Sequence, residues 1–188
     1  MKKTEVIVLA AGKGTRMRSN EPKVLQMLGG RSLLDHVLGA VRGATPFRIY
    51  VVYGHGGDAV RRMTLGDDIN WVQQEPQLGT GHAVSKAMPS VDPAADVLVV
   101  YGDVPLVQTQ TLVRLVEAGQ SGRLALLTSA LPDPTGYGRI IRDDRGELQE
   151  VIEEMDASNE QKTISEINTG FIASPAALIC DWLAHAND

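Results

Sequence analysis

Apolar residues along this chain come in short unbroken runs, separated by loops rich in glycine, proline, asparagine and aspartate. The first run, Val6-Ile7-Val8-Leu9-Ala10, shows no alternation of polar and apolar positions, the pattern of a strand buried on both faces of a parallel sheet. Extended to Thr4–Ala10, the same reading predicts strands at Arg48–Tyr53, Ile69–Val72, Asp96–Tyr101 and Leu124–Ser129. Between them, apolar positions recur at helical spacing. Leu34, Val37, Leu38 and Val41 follow Ser32, which with Asp35 resembles an N-cap pair. Asp58 is placed to cap a short helix to about Met63, and a further helix is expected at Ala83–Met88. Leu112, Val113, Leu115 and Val116 mark another at Thr109–Ala118. Strand, loop and helix thus alternate to residue 129, which predicts an α/β fold with a mostly parallel central sheet flanked by helices.

Beyond residue 129 the texture changes. Tyr137–Arg142 and Glu147–Ile152 flank the turn cluster Asp143-Asp144-Arg145-Gly146 and predict a β-hairpin laid over the sheet. Ile164–Ala173 reads as a further strand, with Ser174 as cap and Pro175 as first residue of a last helix. The single cysteine, Cys180, falls in the apolar run Ala176–Leu183 and is expected to be a buried small hydrophobe. The whole of residues 1–188 is read as one domain, cut short at a point where an α/β crossover would continue to another strand.

Composition narrows the function classes. A chain of 188 residues can bury roughly 70% of its unfolded surface, so its core needs no staples. With 4% aromatic residues and a net charge of −5, it has neither a stacking surface nor a basic face for nucleic acid. One cysteine excludes an internal disulfide framework and a cysteine-rich zinc site. No signal peptide is recognisable, and no apolar run approaches the roughly 20 residues that cross a bilayer. A cytoplasmic protein without membrane insertion is expected.

The candidate chemistry sits in the loops that follow the strands. In open α/β sheets ligands bind at the carboxyl ends of the strands, and the unusual loops at 10–17, 53–58, 73–82 and 101–105 all fall there. The first, Ala11-Gly12-Lys13-Gly14-Thr15-Arg16-Met17, lets an anion approach the backbone and supplies two cations. It is not a dinucleotide fingerprint, because Met17 stands where the third glycine belongs and strand two ends in Tyr53-Gly54-His55 rather than an acid. Nor is it a Walker loop, since only Lys13 separates its glycines. Pro22 biases Glu21 toward extended geometry, making a turn that presents Lys23. Asp103, between an apolar strand and Val104-Pro105, suits Mg²⁺, which takes one or two carboxylates plus substrate phosphates. A metal with Arg16 and Lys23 nearby is equipment for phosphoryl or nucleotidyl transfer. Gln73 and Gln74 offer amides that match a base edge. His82 reads as a packing or capping residue rather than a base.

These stretches resemble a known family. Leu9-Ala10-Ala11-Gly12-Lys13-Gly14-Thr15-Arg16-Met17 with Pro22-Lys23-Val24-Leu25 is similar to the signature of the sugar-nucleotide pyrophosphorylases, nucleotidyltransferases of Rossmann-like fold. Gln77-Leu78-Gly79-Thr80-Gly81-His82-Ala83, Tyr101-Gly102-Asp103-Val104-Pro105-Leu106, Gly136-Tyr137-Gly138-Arg139 and Asn168-Thr169-Gly170 resemble the uridylyltransferase domain of the bacterial GlmU-type enzymes. That family joins N-acetylglucosamine-1-phosphate uridylyltransferase to glucosamine-1-phosphate acetyltransferase. Nucleotidyltransferases acting on methylerythritol phosphate or a molybdopterin cofactor share the glycine loop but lack the Gly-Tyr-Gly-Arg and Asn-Thr-Gly elements.

The resemblance implies Mg²⁺-dependent transfer of UMP from UTP to N-acetylglucosamine 1-phosphate, giving UDP-N-acetylglucosamine and pyrophosphate for peptidoglycan and lipopolysaccharide synthesis. It implies that the Leu9-Ala10-Ala11-Gly12 backbone, Gln74, Gly79 and Thr80 hold uridine. Arg16 is implied at the leaving phosphates, Lys23 at the α-phosphate and sugar phosphate, and Asp103 at Mg²⁺. Tyr101 and Gly102 line the site, and Gly138, Glu153 (with Glu154 adjoining it) and Asn168 hold the sugar under a hairpin lid. The family's second metal ligand, an asparagine, and its β-helix acetyltransferase domain lie outside this chain. Family members trimerise largely through that domain, so a monomer is expected here. The alternative expectation is a fragment that binds UDP-N-acetylglucosamine without efficient turnover.

Overall fold

The computed structural model describes residues 2–12, 21–54, 56–120 and 122–185. The chain divides into two compact units, one formed by Met1–Ala125 with Ile172–Asp188 and the other by Leu126–Phe171.

In the first unit four parallel strands, β1 (Thr4–Ala10), β4 (Arg48–Tyr53), β5 (Ile69–Gln73) and β6 (Asp96–Tyr101), lie in the order β5-β4-β1-β6. The end of β10 (Glu166–Pro175) adds an antiparallel neighbour to β6, with Ile172 opposite Val99 and Pro175 opposite Asp96. The sheet is therefore mixed and mostly parallel, as its apolar runs predict. Helices α1 (Leu33–Gly43), α2 (Gly57–Met63), α3 (Thr80–Ala87), α4 (Thr109–Gly119) and α5 (Ala176–His185) complete the unit, with a small hairpin of β2 (Met27–Leu28) and β3 (Arg31–Ser32) around the Gly29-Gly30 turn.

Both faces of the sheet are buried. Ile7, Leu9, Tyr50, Val52, Val97 and Val99 pack with Ala83, Val84 and Ala87 of α3 and with Ala176 and Ile179 of α5. Alternate residues, Val6, Val8, Val51, Leu98 and Val100, point to the other face and are just as buried, as are Leu34, Val37, Leu38 and Val41 of α1 and Leu112 of α4. Each such side chain contributes roughly 1.5–3 kcal/mol by leaving water, which is why the strands read as unbroken apolar runs. The register then levels the strand ends: Leu9 pairs with Tyr101, Ala10 with Tyr53, and Tyr53 with Gln73. The loops carrying candidate chemistry leave the sheet from adjacent points.

The second unit holds β7 (Ala125–Ala130, entered from the first unit), the hairpin of β8 (Arg139–Arg142) and β9 (Leu148–Ile152), and the first half of β10. Its apolar core is small: Ile140, Ala157, Ile167 and Phe171 are buried. Its largest buried side chain is Arg139, only 1% exposed. The Arg139 guanidinium pairs with Glu154 at 2.7 Å and donates to the carbonyls of Tyr137 and Lys162.

Some expectations are corrected. Cys180 is exposed. Helix α5 buries Ala176 and Ile179 with Leu183 partly covered, a narrow stripe at positions i, i+3 and i+7. Cys180 follows Ile179 and stands about 100° around the helix from it. Ser174 does not cap α5, because β10 stays in register with β6 through Pro175; the Ser174 hydroxyl is buried without a partner. Gly56, with φ 79°, takes the N-cap place of α2, and Asp58 moves into its first turn. Helix α3 starts at Thr80 rather than Ala83. The Ser32 cap forms as expected, its hydroxyl accepting from Asp35 N at 3.0 Å.

Candidate active site

A cleft of about 380 Å³ opens at the carboxyl ends of β1, β5 and β6. Leu9, Ala11 and Gly12 line it from β1, Gln74, Gln77, Gly79 and Thr80 from the loop after β5, and Tyr101 and Asp103 from β6, with Lys23 beside them. Sequence reasoning separated these residues by up to 94 positions; parallel pairing brings them together. Ala10 and Gly102 are not lining residues. Ala10 is buried in β1, and Gly102 N donates to Leu9 O at 2.9 Å, which fixes where β6 ends. A Cβ on Gly102 would stand 3.1 Å from Leu34 Cδ1 and 3.2 Å from Leu9 O, so a bare backbone is what lets the chain turn there and bring Asp103 to the cleft. Arg16 lies outside the described residues.

Lys23 is held by a single 3₁₀ turn, Lys23–Leu25, in which Leu25 N donates to Pro22 O at 2.9 Å. Val24 and Leu25 are buried and anchor the turn, leaving the lysine outside. Its Nζ lies 2.6 Å from Asp103 Oδ2, both side chains being partly exposed. The Asp103 carboxylate thus already faces a cation. Among the described residues no cluster of three metal-ligating side chains exists. A lone carboxylate of this kind fits Mg²⁺, which draws its remaining ligands from water and substrate phosphates.

The opposite wall is tightly bonded. Gln74 N donates to Tyr53 O at 2.8 Å. Its side-chain Nε2 donates to Gly79 O at 2.9 Å and lies 3.1 Å from His82 Nδ1. Gly79 carries φ 103°, a backbone region closed to side-chain-bearing residues, and caps α3, Ala83 N donating to Gly79 O at 3.1 Å. Gln77 Nε2 donates to Ala11 O, joining this loop to the end of β1. The sequence signal for Gln77 is only that an amide beside a glycine loop can bond loop backbone.

In the second unit, Gly138, Glu153 and Asn168 are neighbours. Asn168 N donates to Gly138 O at 2.8 Å, and a Cβ on Gly138 would stand 3.2 Å from Glu153 Oε1. Glu154 is committed elsewhere, to Arg139 and to Gly136 N at 3.3 Å. The Arg139 guanidinium holds the Glu154 carboxyl below the usual carboxylate range. Of the two adjoining glutamates, Glu153 is the one beside Gly138.

Comparisons with known proteins place the chain among nucleotidyltransferases. A family model described as the MobA-like NTP transferase domain matches residues 6–165. The bifunctional protein GlmU of Pseudomonas syringae pv. syringae is 52% identical over 184 residues, covering 98% of this chain. The bifunctional protein GlmU of Stutzerimonas stutzeri is 50% identical over the same span. The chain spans 40% of the length of these curated relatives. A Bacillus anthracis structure, assigned as a glucose-1-phosphate thymidylyltransferase and solved with sucrose, shares the fold. Its TM-score is 0.79 over 94% of this chain and 73% of that one, at 20% identity. The family model spans most of the sequence, the strand ends and loops that line the cleft included: the chain belongs to the family of MobA-like NTP transferase domains.

Proposed function

We propose that this chain transfers UMP from UTP to N-acetylglucosamine 1-phosphate, releasing pyrophosphate and forming UDP-N-acetylglucosamine. The observation that carries the reading is the cleft itself, which joins the base-matching amide of Gln74 to the Lys23–Asp103 pair. Identity of 52% to a bifunctional GlmU across 98% of the chain supports the same choice of substrates. A membrane partner has no support in the helices: among the described residues none is long and apolar enough to cross a bilayer.

The roles are those the resemblance implies. The backbone of Leu9, Ala11 and Gly12, with Gln74, Gly79 and Thr80, holds the uridine. Lys23 meets the α-phosphate and the incoming sugar phosphate, spreading the negative charge that grows as the sugar phosphate oxygen bonds to the α-phosphorus and the bond to pyrophosphate breaks. Asp103 would hold Mg²⁺, which when bound supplies charge neutralisation at the phosphates. In the second unit Gly138, Glu153 and Asn168 hold the sugar. Arg16, on the glycine loop, meets the leaving phosphates.

Pyrophosphate release is measured with UTP, Mg²⁺ and a panel of sugar 1-phosphates. N-acetylglucosamine 1-phosphate is expected to be the preferred acceptor and UTP the preferred donor. Preference for glucose 1-phosphate or for another nucleotide would overturn the assignment. Binding of UDP-N-acetylglucosamine by calorimetry without turnover would instead leave a binding module.

A further inference from the structure

We infer that His82 is a positioning residue for nucleobase choice: it locks the Gln74 amide with its oxygen, not its nitrogen, facing the cleft. This deepens the proposed function and rests on reading the cleft as a nucleotide site. Gln74 is 4% exposed, so its amide groups must be bonded or face the ligand. Gly79 O can only accept, so the atom 2.9 Å from it is the amide nitrogen. That nitrogen has a second hydrogen, and His82 Nδ1 lies 3.1 Å away. His82 must therefore accept at Nδ1, which places its own proton on Nε2. Both of these contacts engage Nε2 and leave Oε1 to the other side of the amide, and Gln74 lines the cleft.

The chemical consequence is directional. With both N–H groups committed, the amide offers the ligand an acceptor only. Uracil presents a ring N–H to such an acceptor; cytosine presents a ring nitrogen with a lone pair at the same place. With His82 replaced by an apolar side chain, one N–H loses its partner and the amide is free to swing toward the base as a donor. Selectivity is then lost without any change to the phosphate chemistry.

Two experiments test this on the intact chain. In NMR spectra of the ligand-free protein at pH 8, His82 is expected as the Nε2–H tautomer; an Nδ1–H tautomer would overturn the inference. In the turnover assay, His82→Leu is expected to raise the KM for UTP and to lower the preference for UTP over CTP by about tenfold, with kcat nearly unchanged. His82→Asn is expected to restore most of the preference, because its amide oxygen occupies the place of Nδ1. Unaltered preference in His82→Leu, or an Asn variant as impaired as the Leu variant, would reduce His82 to packing. Should His82→Leu fail to fold, the tautomer and His82→Asn decide alone. A wild-type chain with no preference for UTP would overturn the proposed function, while the tautomer still reports on His82.

Discussion

The two units solve the same problem, holding a polar site still, by opposite means. In the first, β1, β4 and β6 bury apolar side chains on both faces, and the site groups hang from strand ends whose positions follow from register. The side-chain bonds of Gln74 and Gln77 then hold the loops against those ends. In the second, few apolar side chains are buried, and the largest buried group is a charged one, Arg139. Its bonds to Glu154, Tyr137 and Lys162 tie three stretches of chain together, with Arg142 and Glu166 paired nearby at 2.6 Å. A site resting on a core loses geometry when packing fails. A site resting on ion pairs loses it when charge fails.

That contrast can be broken deliberately. Leu98 is fully buried in β6, and Leu98→Ala is expected to cost about 2–5 kcal/mol of stability, read by denaturant unfolding; a loss below 1 kcal/mol would show that the sheet does not carry the first unit. Asp103→Asn separates site from scaffold. Turnover should fall by about 10²–10³ while the unfolding midpoint stays within error, and near-normal activity would remove Asp103 from the chemistry. Gly79→Ala forces a methyl group onto φ 103° and is expected to cost about 1–3 kcal/mol, together with weaker nucleotide binding. Unchanged stability there would mean that the loop relaxes freely.

The smallest effect is acid loosening of the second unit. Asp133, Glu154 and Glu166 are all held below the usual carboxylate range, Asp133 by the Thr135 hydroxyl and the other two chiefly by Arg139 and Arg142. A carboxyl depressed in the folded state stabilises fully above its unfolded pKa, roughly 4. That contribution fades as pH falls through the lower folded value. Amide exchange in residues 136–142 is therefore expected to accelerate below about pH 4 before that of β1 does. Equal protection of both at pH 3 would contradict the contrast.

Legibility in the sequence follows the same division. Unbroken apolar runs announced β1, β4 and β6, because a strand covered on both sides has no polar face to preserve, whereas β5 at the sheet edge leaves Asn70 and Gln73 exposed. Ser32 and Asp35 announced the start of α1 through a bond within one turn. Cys180 misled, because an apolar run longer than the buried stripe says nothing about which side of the helix is covered. Ser174 misled for a similar reason: a serine before a proline looks like a cap, but pairing with Val97 keeps it in the strand.

By itself, then, the order of residues determined the strand–helix alternation, the loops that carry chemistry and the resemblance to a nucleotidyltransferase, since all of these depend on local pattern. Tertiary structure decided that Glu154 is engaged by Arg139 while Glu153 stands beside Gly138, that Gln77 ties its loop to Ala11, and that Gln74 and His82 meet. Those outcomes depend on hydrogen-bond and ion-pair partners distant in the chain or set by a turn's geometry, and a buried donor takes whichever acceptor the fold brings within reach.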